Sequence, residues 1–179
     1  DDAAEQWDRL RDELYGSAFT KSALASLIPR DWTVADLGCG AGTLTEDLAR
    51  GAGKVIGVDD SPAMLKAARQ RCKSLSNVEL LQGSIVDCPI AAATCDAALM
   101  LIVLSYVDSP EDAVAAAARI LKPGGKLVLV DLLVHDRDDF RREMGQSHTG
   151  FKPAELKGWL KQAGMRNTQC NPLPTVRDA

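Results

Sequence analysis

Apolar residues recur along this chain in short runs, and stretches with helical spacing separate the runs. Six of the runs predict β-strands, and they are Trp32–Leu37, Lys54–Asp59, Val78–Gln82, Ala97–Leu104, Lys126–Leu133 and Arg166–Asn171. The fourth run is almost unbroken, as expected of a central parallel strand that is covered on both faces. Strands that alternate with helices at this spacing indicate βαβ units and a parallel sheet.

Helix start and stop signals fill the segments between the strands. A first core helix should begin near Gly42 and end around Gly51. Ser61 and Pro62 then fit the N-cap and first-turn positions of the next helix. Two later helices are predicted from a near capping box at Ser109–Asp112 and from the spacing of apolar residues over Pro153–Ala163.

The amino-terminal segment has its own helical pattern. Trp7, Leu10 and Leu14 lie on one face of an amphipathic helix, with charged residues on the other face. We therefore expect residues 1–30 to form a helical cap and residues 31–179 to form the core of a single domain, because no linker or internal repeat divides the chain.

Composition excludes several classes of protein. The chain has 179 residues, a net charge of −4 and 46% hydrophobic residues, which is ordinary for one globular domain and gives no general attraction to nucleic acid or anionic membranes. No apolar run approaches the roughly 20 residues that span a bilayer. The five cysteines are odd in number and form no C-x-x-C pair, so we expect free thiols and a cytoplasmic protein.

The most informative segment is Val34–Gly42, where an apolar strand ends in Asp36 and glycine then occupies every second position. Such a loop lets a ligand lie against the backbone beside a helix N-terminus. The dinucleotide fingerprint G-x-G-x-x-G fails because its third glycine would fall at Thr43. At the end of the second strand, Asp59 can accept hydrogen bonds from a ribose diol, although an acid there can also simply cap the next helix.

Four segments in order carry a family resemblance, and they are Val34–Gly42, Val55–Leu65, Leu80–Pro89 and Leu121–Leu127. The chain resembles class I S-adenosylmethionine-dependent methyltransferases, most closely the ubiquinone/menaquinone C-methyltransferase-like (type 11) group. This resemblance implies a Rossmann-like three-layer α/β sandwich with a mostly parallel seven-stranded sheet in the order 3-2-1-4-5-7-6, in which this chain ends before the last strand is complete. Trp7–Gly16 and Val130–Asp136 are similar to the methyltransferase half of fusions with an ArsR-type regulator.

The resemblance also implies the residues of a cofactor site, which are Asp36, Gly38, Cys39, Gly40, Asp59, Asp60, Met64, Ser84, Ile85 and Leu101. In that site Asp36 would hold the ammonium group of the methionine moiety, and the backbone of Gly38–Gly40 would pass beneath it. Asp59 would bind both ribose hydroxyls. Ser84 stands where the family usually has an aspartate that reads the adenine amino group.

The implied activity is methyl transfer from S-adenosylmethionine to a small-molecule acceptor, which leaves S-adenosylhomocysteine. Some acceptors also need a general base, for which His135 is the first candidate, followed by Tyr106 and His148. The alternative, which these loop positions favour, is that the two histidines are solvated loop residues. A metal site built from Asp131, His135 and His148 fits no established ligand spacing, so no metal is expected.

Two alternatives to an enzyme of this kind remain open. The first is a non-catalytic module that binds S-adenosylmethionine or S-adenosylhomocysteine and reports it to an attached DNA-binding domain. The second, a nicotinamide-dependent oxidoreductase, is disfavoured by the glycine spacing. We also expect no direct nucleic acid binding and no membrane partner. An unpaired sheet edge near the fifth strand would favour a homodimer.

Overall fold

The computed structural model describes residues 19–173. Within them the strands are Thr33–Leu37 (β1), Lys54–Asp59 (β2), Val78–Gln82 (β3), Cys95–Leu101 (β4) and Leu121–Val130 (β5). The α-helices are Phe19–Ala25 (α1), Thr43–Ala49 (α2), Pro62–Arg71 (α3), Pro110–Ile120 (α4), Asp138–Glu143 (α5) and Pro153–Gln162 (α6). A 3-10 helix covers Leu104–Tyr106.

The five strands form one parallel sheet in the order β3-β2-β1-β4-β5. This is the first part of the predicted order 3-2-1-4-5-7-6, which confirms the Rossmann-like architecture. Because all strands run in the same direction, their carboxyl ends meet at one edge of the sheet, which is where open α/β sheets bind ligands.

Helices cover both faces of the sheet, as buried parallel strands require. On one face Ala35, Ile56 and Ala98 are buried in the larger core cluster, to which α4 and α6 contribute. Their neighbours in sequence, Val34 and Val55, are buried on the opposite face against α2. The alternation of side chains along each strand therefore produces two cores and a three-layer sandwich.

Several element boundaries follow directly from local signals. β2 and β3 have the predicted bounds. Ser61 is the N-cap of α3, where its side chain accepts a hydrogen bond from the Met64 N–H, and Pro62 is the first helical residue. Helix α4 also begins after Ser109, but the Ser109 side chain makes no capping hydrogen bond.

The predictions for the fourth and fifth strands were wrong at their ends. β4 stops at Leu101 because Ile102 has a positive φ of 53°, which no strand residue can adopt. The fifth strand begins at Leu121, directly after α4, because Leu121 pairs with Cys95. The next pair is Ala97 with Lys126, so the turn at 122–125 bulges out of the register.

The predicted sixth strand, Arg166–Asn171, was also wrong, since that segment has no strand structure. In the predicted order this strand would pair with a seventh strand, and residues 19–173 contain no such partner. The predicted amphipathic helix that carries Trp7, Leu10 and Leu14 lies outside the described residues. No helix between residues 19 and 173 is long and apolar enough to cross a membrane.

Candidate active site

A cavity of about 390 Å³ opens at the carboxyl edge of the sheet, a size within the roughly 300–1,000 Å³ of small-molecule sites. Eight of the residues predicted for the site line this cavity, and they are Gly38, Gly40, Asp59, Asp60, Met64, Ser84, Ile85 and Tyr106. The four other predicted residues, which are Asp36, Cys39, Leu101 and His135, do not line it.

Hydrogen bonds hold the glycine loop against the end of β2. The N–H groups of Gly38 and Cys39 both donate to the Val58 carbonyl oxygen, at 2.8 and 3.0 Å. The Gly40 N–H donates to Oδ2 of Asp59 at 2.8 Å. The loop after β1 and the acid at the end of β2 are therefore one connected structure rather than two separate features.

The lack of side chains at Gly38 and Gly40 has two different consequences. A Cβ on Gly38 would lie 2.4 Å from a Val103 methyl group, so glycine there allows the segment after β4 to pack closely. A Cβ on Gly40 would meet nothing within 4 Å, and this residue borders the cavity. The space that a Gly40 side chain would occupy is thus open to a ligand.

Asp59 is a half-buried carboxylate that keeps spare hydrogen-bonding capacity. Its Oδ2 accepts the Gly40 N–H and its Oδ1 accepts the Ser61 N–H, at 2.8 and 3.0 Å. Each carboxylate oxygen has two lone pairs, so each can accept one more hydrogen bond. The backbone thereby orients a negative group that can receive two donors, such as a pair of ribose hydroxyls.

Asp36 lies beneath this loop, where it is only 3% exposed. Its Oδ2 accepts a 2.6 Å hydrogen bond from the Thr45 hydroxyl group. Burial raises the pKa of Asp36 to about 6, and the nearby Asp59 carboxylate adds to the rise, while the Thr45 hydrogen bond opposes it. Asp36 thus titrates about two pH units closer to neutrality than an ordinary aspartate does.

Cys39 is buried in the same loop. Burial, together with the charges of Asp36 and Asp59, raises the pKa of the Cys39 thiol to about 12. A thiol in this state is not a nucleophile at neutral pH. All five cysteines are free, and four of them are buried.

The opposite wall of the cavity is formed by the residues that come directly after β4 in the chain. The Ile102 N–H donates to the Val130 carbonyl oxygen at 2.7 Å. The positive φ of Ile102 costs on the order of 1–3 kcal/mol of conformational free energy. Beyond it, Asp131 accepts hydrogen bonds from the backbone N–H groups of Val103 and Ser105. Tyr106 follows and is 41% exposed at the cavity.

The predicted bases are placed differently from one another. Tyr106 borders the cavity, whereas His135 does not. Nδ1 of His135 accepts the Arg137 N–H at 3.1 Å, so the neutral ring carries its hydrogen on Nε2, which is buried without a partner. Nε2 of His148 donates to the Val107 carbonyl oxygen at 2.9 Å.

Four cavity residues were missed by the sequence reasoning, and they are Gly83, Ile102, Val103 and Val107. Gly83 had a usable signal, since it directly follows β3 and its N–H donates to the Asp59 carbonyl oxygen at 3.1 Å. The other three lie in or beside the apolar run Ala97–Leu104, whose pattern predicts a strand. Within residues 19–173 no group of three or more His, Cys, Asp or Glu residues is arranged to hold a metal ion.

Comparison with known proteins decides the family. A profile of the family described as the methyltransferase domain matches residues 35–129, which covers the chain from within β1 to most of β5 and more than half of its length. The chain belongs to this methyltransferase domain family. The matched region includes the glycine loop, Asp59 and the Tyr106 side of the cavity.

Two curated proteins are similar to this methyltransferase domain over long segments. The demethylmenaquinone methyltransferase of Tropheryma whipplei strain Twist is 41% identical over 100 residues, which are 55% of this chain and 41% of that protein. The ubiquinone biosynthesis O-methyltransferase of Xanthomonas axonopodis pv. citri is 34% identical over 157 residues, which are 79% of this chain and 66% of that protein. The chain thus spans less than two thirds of the length of these relatives.

Solved structures agree with the fold. The phosphoethanolamine N-methyltransferase 2 of Haemonchus contortus, which was solved with phosphomonomethylethanolamine and S-adenosylhomocysteine, superposes with a TM-score of 0.72. The two sequences are 20% identical, and the match covers 85% of this chain and 38% of that one. At this identity the similarity establishes the architecture of the methyltransferase domain.

Proposed function

We propose that this domain transfers a methyl group from S-adenosylmethionine to a small, largely apolar acceptor. One observation carries the proposal: the Asp59 carboxylate is bound to the glycine loop beside a ligand-sized cavity, in a chain whose family is that of methyltransferase domains. This arrangement combines an oriented acceptor for a ribose diol with bare backbone beside it.

The residues present fit this cofactor. The open space at Gly40 leaves room for a ligand against the backbone, and Asp59 keeps a free lone pair on each oxygen. Asp60 and Met64 would border the adenine on one side, and Ser84 and Ile85 on the other. When bound, the cofactor supplies an electrophilic methyl group on a positively charged sulfur.

The chain's own residues would align the acceptor and exclude water, which is the main protein contribution to such a reaction. Ile102 and Val103 give the cavity an apolar wall, and Tyr106, which carries a hydroxyl group, lines the cavity beside them. Tyr106 is the candidate to hold or accept the acceptor's proton. Of the three predicted bases, it is the one that lines the cavity.

The class of acceptor is argued from the surface and the relatives together. Large apolar side chains are exposed after β4 and β5, including Ile102, Leu133 and Val134. The two curated relatives are named a demethylmenaquinone methyltransferase and a ubiquinone biosynthesis O-methyltransferase, names that refer to quinones. A neutral aromatic acceptor with a hydroxyl group suits this surface better than a charged one.

The experiment that tests the function is an acceptor screen. Purified protein is incubated with S-adenosylmethionine and a panel of small phenols and hydroquinones, and S-adenosylhomocysteine formation is followed by mass spectrometry. We expect acceptor-dependent product with wild-type protein and none with Asp59→Ala. No turnover with any acceptor, in protein that binds the cofactor, would contradict the catalytic part of the proposal.

Four further predictions belong to this proposal: residues 1–179 form a single domain, the protein is cytoplasmic, it can form homodimers, and it does not bind nucleic acid directly. Neither the family match nor the cavity favours the non-catalytic regulatory module, or an ArsR-type fusion, over an enzyme. Ligand-dependent DNA binding by a longer parent protein, without turnover, would favour the regulatory module instead.

A further inference from the structure

Asp131 directly follows β5, and its carboxylate collects four hydrogen bonds. Oδ2 accepts the N–H groups of Val103 at 3.0 Å and Ser105 at 3.4 Å. Oδ1 accepts the Leu132 N–H at 2.8 Å and a short hydrogen bond from the Ser105 hydroxyl group. The acceptor positions of this carboxylate are therefore occupied within the chain itself.

These bonds hold residues 102–106, a segment that borders the cavity. Asp131 itself does not line the cavity. Val103 is buried, and its methyl groups fill the space that a Gly38 side chain would need. The Tyr106 N–H donates to the Val103 carbonyl oxygen at 3.0 Å, so the position of Tyr106 depends on that of Val103. The segment 102–106 thus joins the glycine loop to the predicted acceptor side.

The segment also needs a restraint. Ile102 is β-branched and has a φ of 53°, a conformation that persists only where the surrounding structure enforces it. At the start of the segment, a backbone hydrogen bond joins the Ile102 N–H to the Val130 carbonyl oxygen. The Ser105 carbonyl oxygen accepts the N–H groups of Ser147 and His148, so the same restraint extends to the loop before α6.

We propose that Asp131 is a positioning residue, which sets the width of the cavity by holding Val103 against Gly38 and Tyr106 at the cavity mouth. The inference rests on the proposed function for the identity of the ligand. Asp131 touches neither the cofactor nor the acceptor and acts through residues 102–106. These hydrogen bonds explain the position of the Asp131 carboxylate, and no metal ion needs to be invoked for it.

The chain offers a matched control at the other end of β4. Asp96 is also a carboxylate that joins strands: it accepts the Thr33 N–H at 2.8 Å and a Lys122 ammonium group at 2.8 Å. It lies near the amino end of the strand, away from the cavity. Asp96→Asn therefore weakens a comparable tether without touching the 102–106 segment.

The test compares S-adenosylhomocysteine affinity, measured by calorimetry, in wild type, Asp131→Asn, Ser105→Ala and Asp96→Asn. The single side-chain oxygen of asparagine can accept the hydrogen bonds made to Oδ1 or those made to Oδ2, but not both sets. We expect Asp131→Asn to bind about tenfold more weakly, a loss of about 1.4 kcal/mol, because Val103 and Tyr106 would no longer be held at the cavity. Ser105→Ala, the milder variant, should show a smaller loss, and Asp96→Asn should bind like wild type.

Amide hydrogen exchange gives a readout that needs no ligand. In Asp131→Asn the amides of Val103, Ser105 and Tyr106 should lose protection while those of β1 and β2 keep theirs. Wild-type affinity in Asp131→Asn, or equal losses in Asp131→Asn and Asp96→Asn, would overturn the inference. If wild type binds no S-adenosylhomocysteine, the proposed function fails, and unchanged protection at residues 103–106 would overturn this inference separately.

Discussion

Thr45 donates a hydrogen bond to the buried carboxylate of Asp36, and this 2.6 Å contact ties the end of β1 to the first turn of α2 beneath the glycine loop. Burying Asp36 in its ionised form therefore costs folding free energy, and this cost depends on pH. The raised pKa of about 6, against 3.8 for a free side chain, means that the folded state favours the protonated acid. Ionised Asp36 is solvated better in the unfolded chain than in the fold.

The first prediction concerns the pH dependence of stability. The contribution of Asp36 is fully present below pH 3.8 and is lost as the pH rises through about 6. A difference of about two pKa units corresponds to roughly 3 kcal/mol. Asp36→Asn, which can still accept from Thr45, should thus gain stability relative to wild type between pH 4 and pH 8, as measured by urea unfolding. Parallel stability curves for the two proteins would contradict this.

The second prediction uses two glycines, Gly40 and Gly124, that both have a positive φ. A Cβ on either would meet nothing within 4 Å. Alanine at each position should therefore cost a similar 1–2 kcal/mol or so in folding stability. Only Gly40→Ala places a methyl group at the cavity, so it alone should weaken S-adenosylhomocysteine binding, by about tenfold or more. Equal affinities in both variants would count against a cofactor at this loop.

The third prediction compares two neighbouring acids. Asp59 is oriented by the N–H groups of Gly40 and Ser61, whereas Asp60 is exposed at the same cavity. Asp59→Ala should reduce S-adenosylhomocysteine affinity by about 100-fold, because hydrogen bonds to a charged group contribute roughly 1.5–3 kcal/mol each. Asp60→Ala should cost only a few-fold. A reversed order in calorimetry would mean that the ribose lies elsewhere.

The fourth prediction separates the candidate bases. Tyr106→Phe removes the hydroxyl group at the cavity and should lower kcat about 100-fold or more, in line with general acid–base catalysis, with little change in S-adenosylhomocysteine affinity. His135→Asn should affect kcat much less, because that ring lies away from the cavity. Steady-state kinetics on the best acceptor of the screen decides between them, and a larger loss of kcat in His135→Asn would restore the histidine as the base.

Local sequence signals predicted much of the fold correctly. β2 and β3 have the expected bounds because each apolar run is followed by a polar residue or a glycine. The start of α3 follows from Ser61 and Pro62, whose roles as N-cap and first-turn residue depend on their own chemistry. The order of the five strands followed from the family resemblance.

The errors arise where distant contacts override local patterns. The apolar run Ala97–Leu104 reads as one strand, but the chain leaves the sheet at Ile102, where Asp131 holds the following residues. Leu121 reads as a helix residue and instead pairs with Cys95. These contacts join residues 26 or more positions apart, so no window of the sequence contains them.

In the site, too, some features follow from local sequence and others from distant contacts. The glycine loop and Asp59 are recognisable from spacing, and the structure brings them together at one cavity. The role of Asp131 was missed, although an acid directly after an apolar strand was an available signal. The tautomer of His135 depends on the Arg137 N–H, which only the folded backbone reveals.

Calorimetric titration of the intact protein with S-adenosylhomocysteine, and separately with NADH, tests the central claim most directly. The account predicts one molecule of S-adenosylhomocysteine bound per chain, with a dissociation constant between about 1 μM and 1 mM, the usual range for enzyme ligands, and no heat of binding with NADH. Binding of NADH, or no binding of S-adenosylhomocysteine, would contradict it.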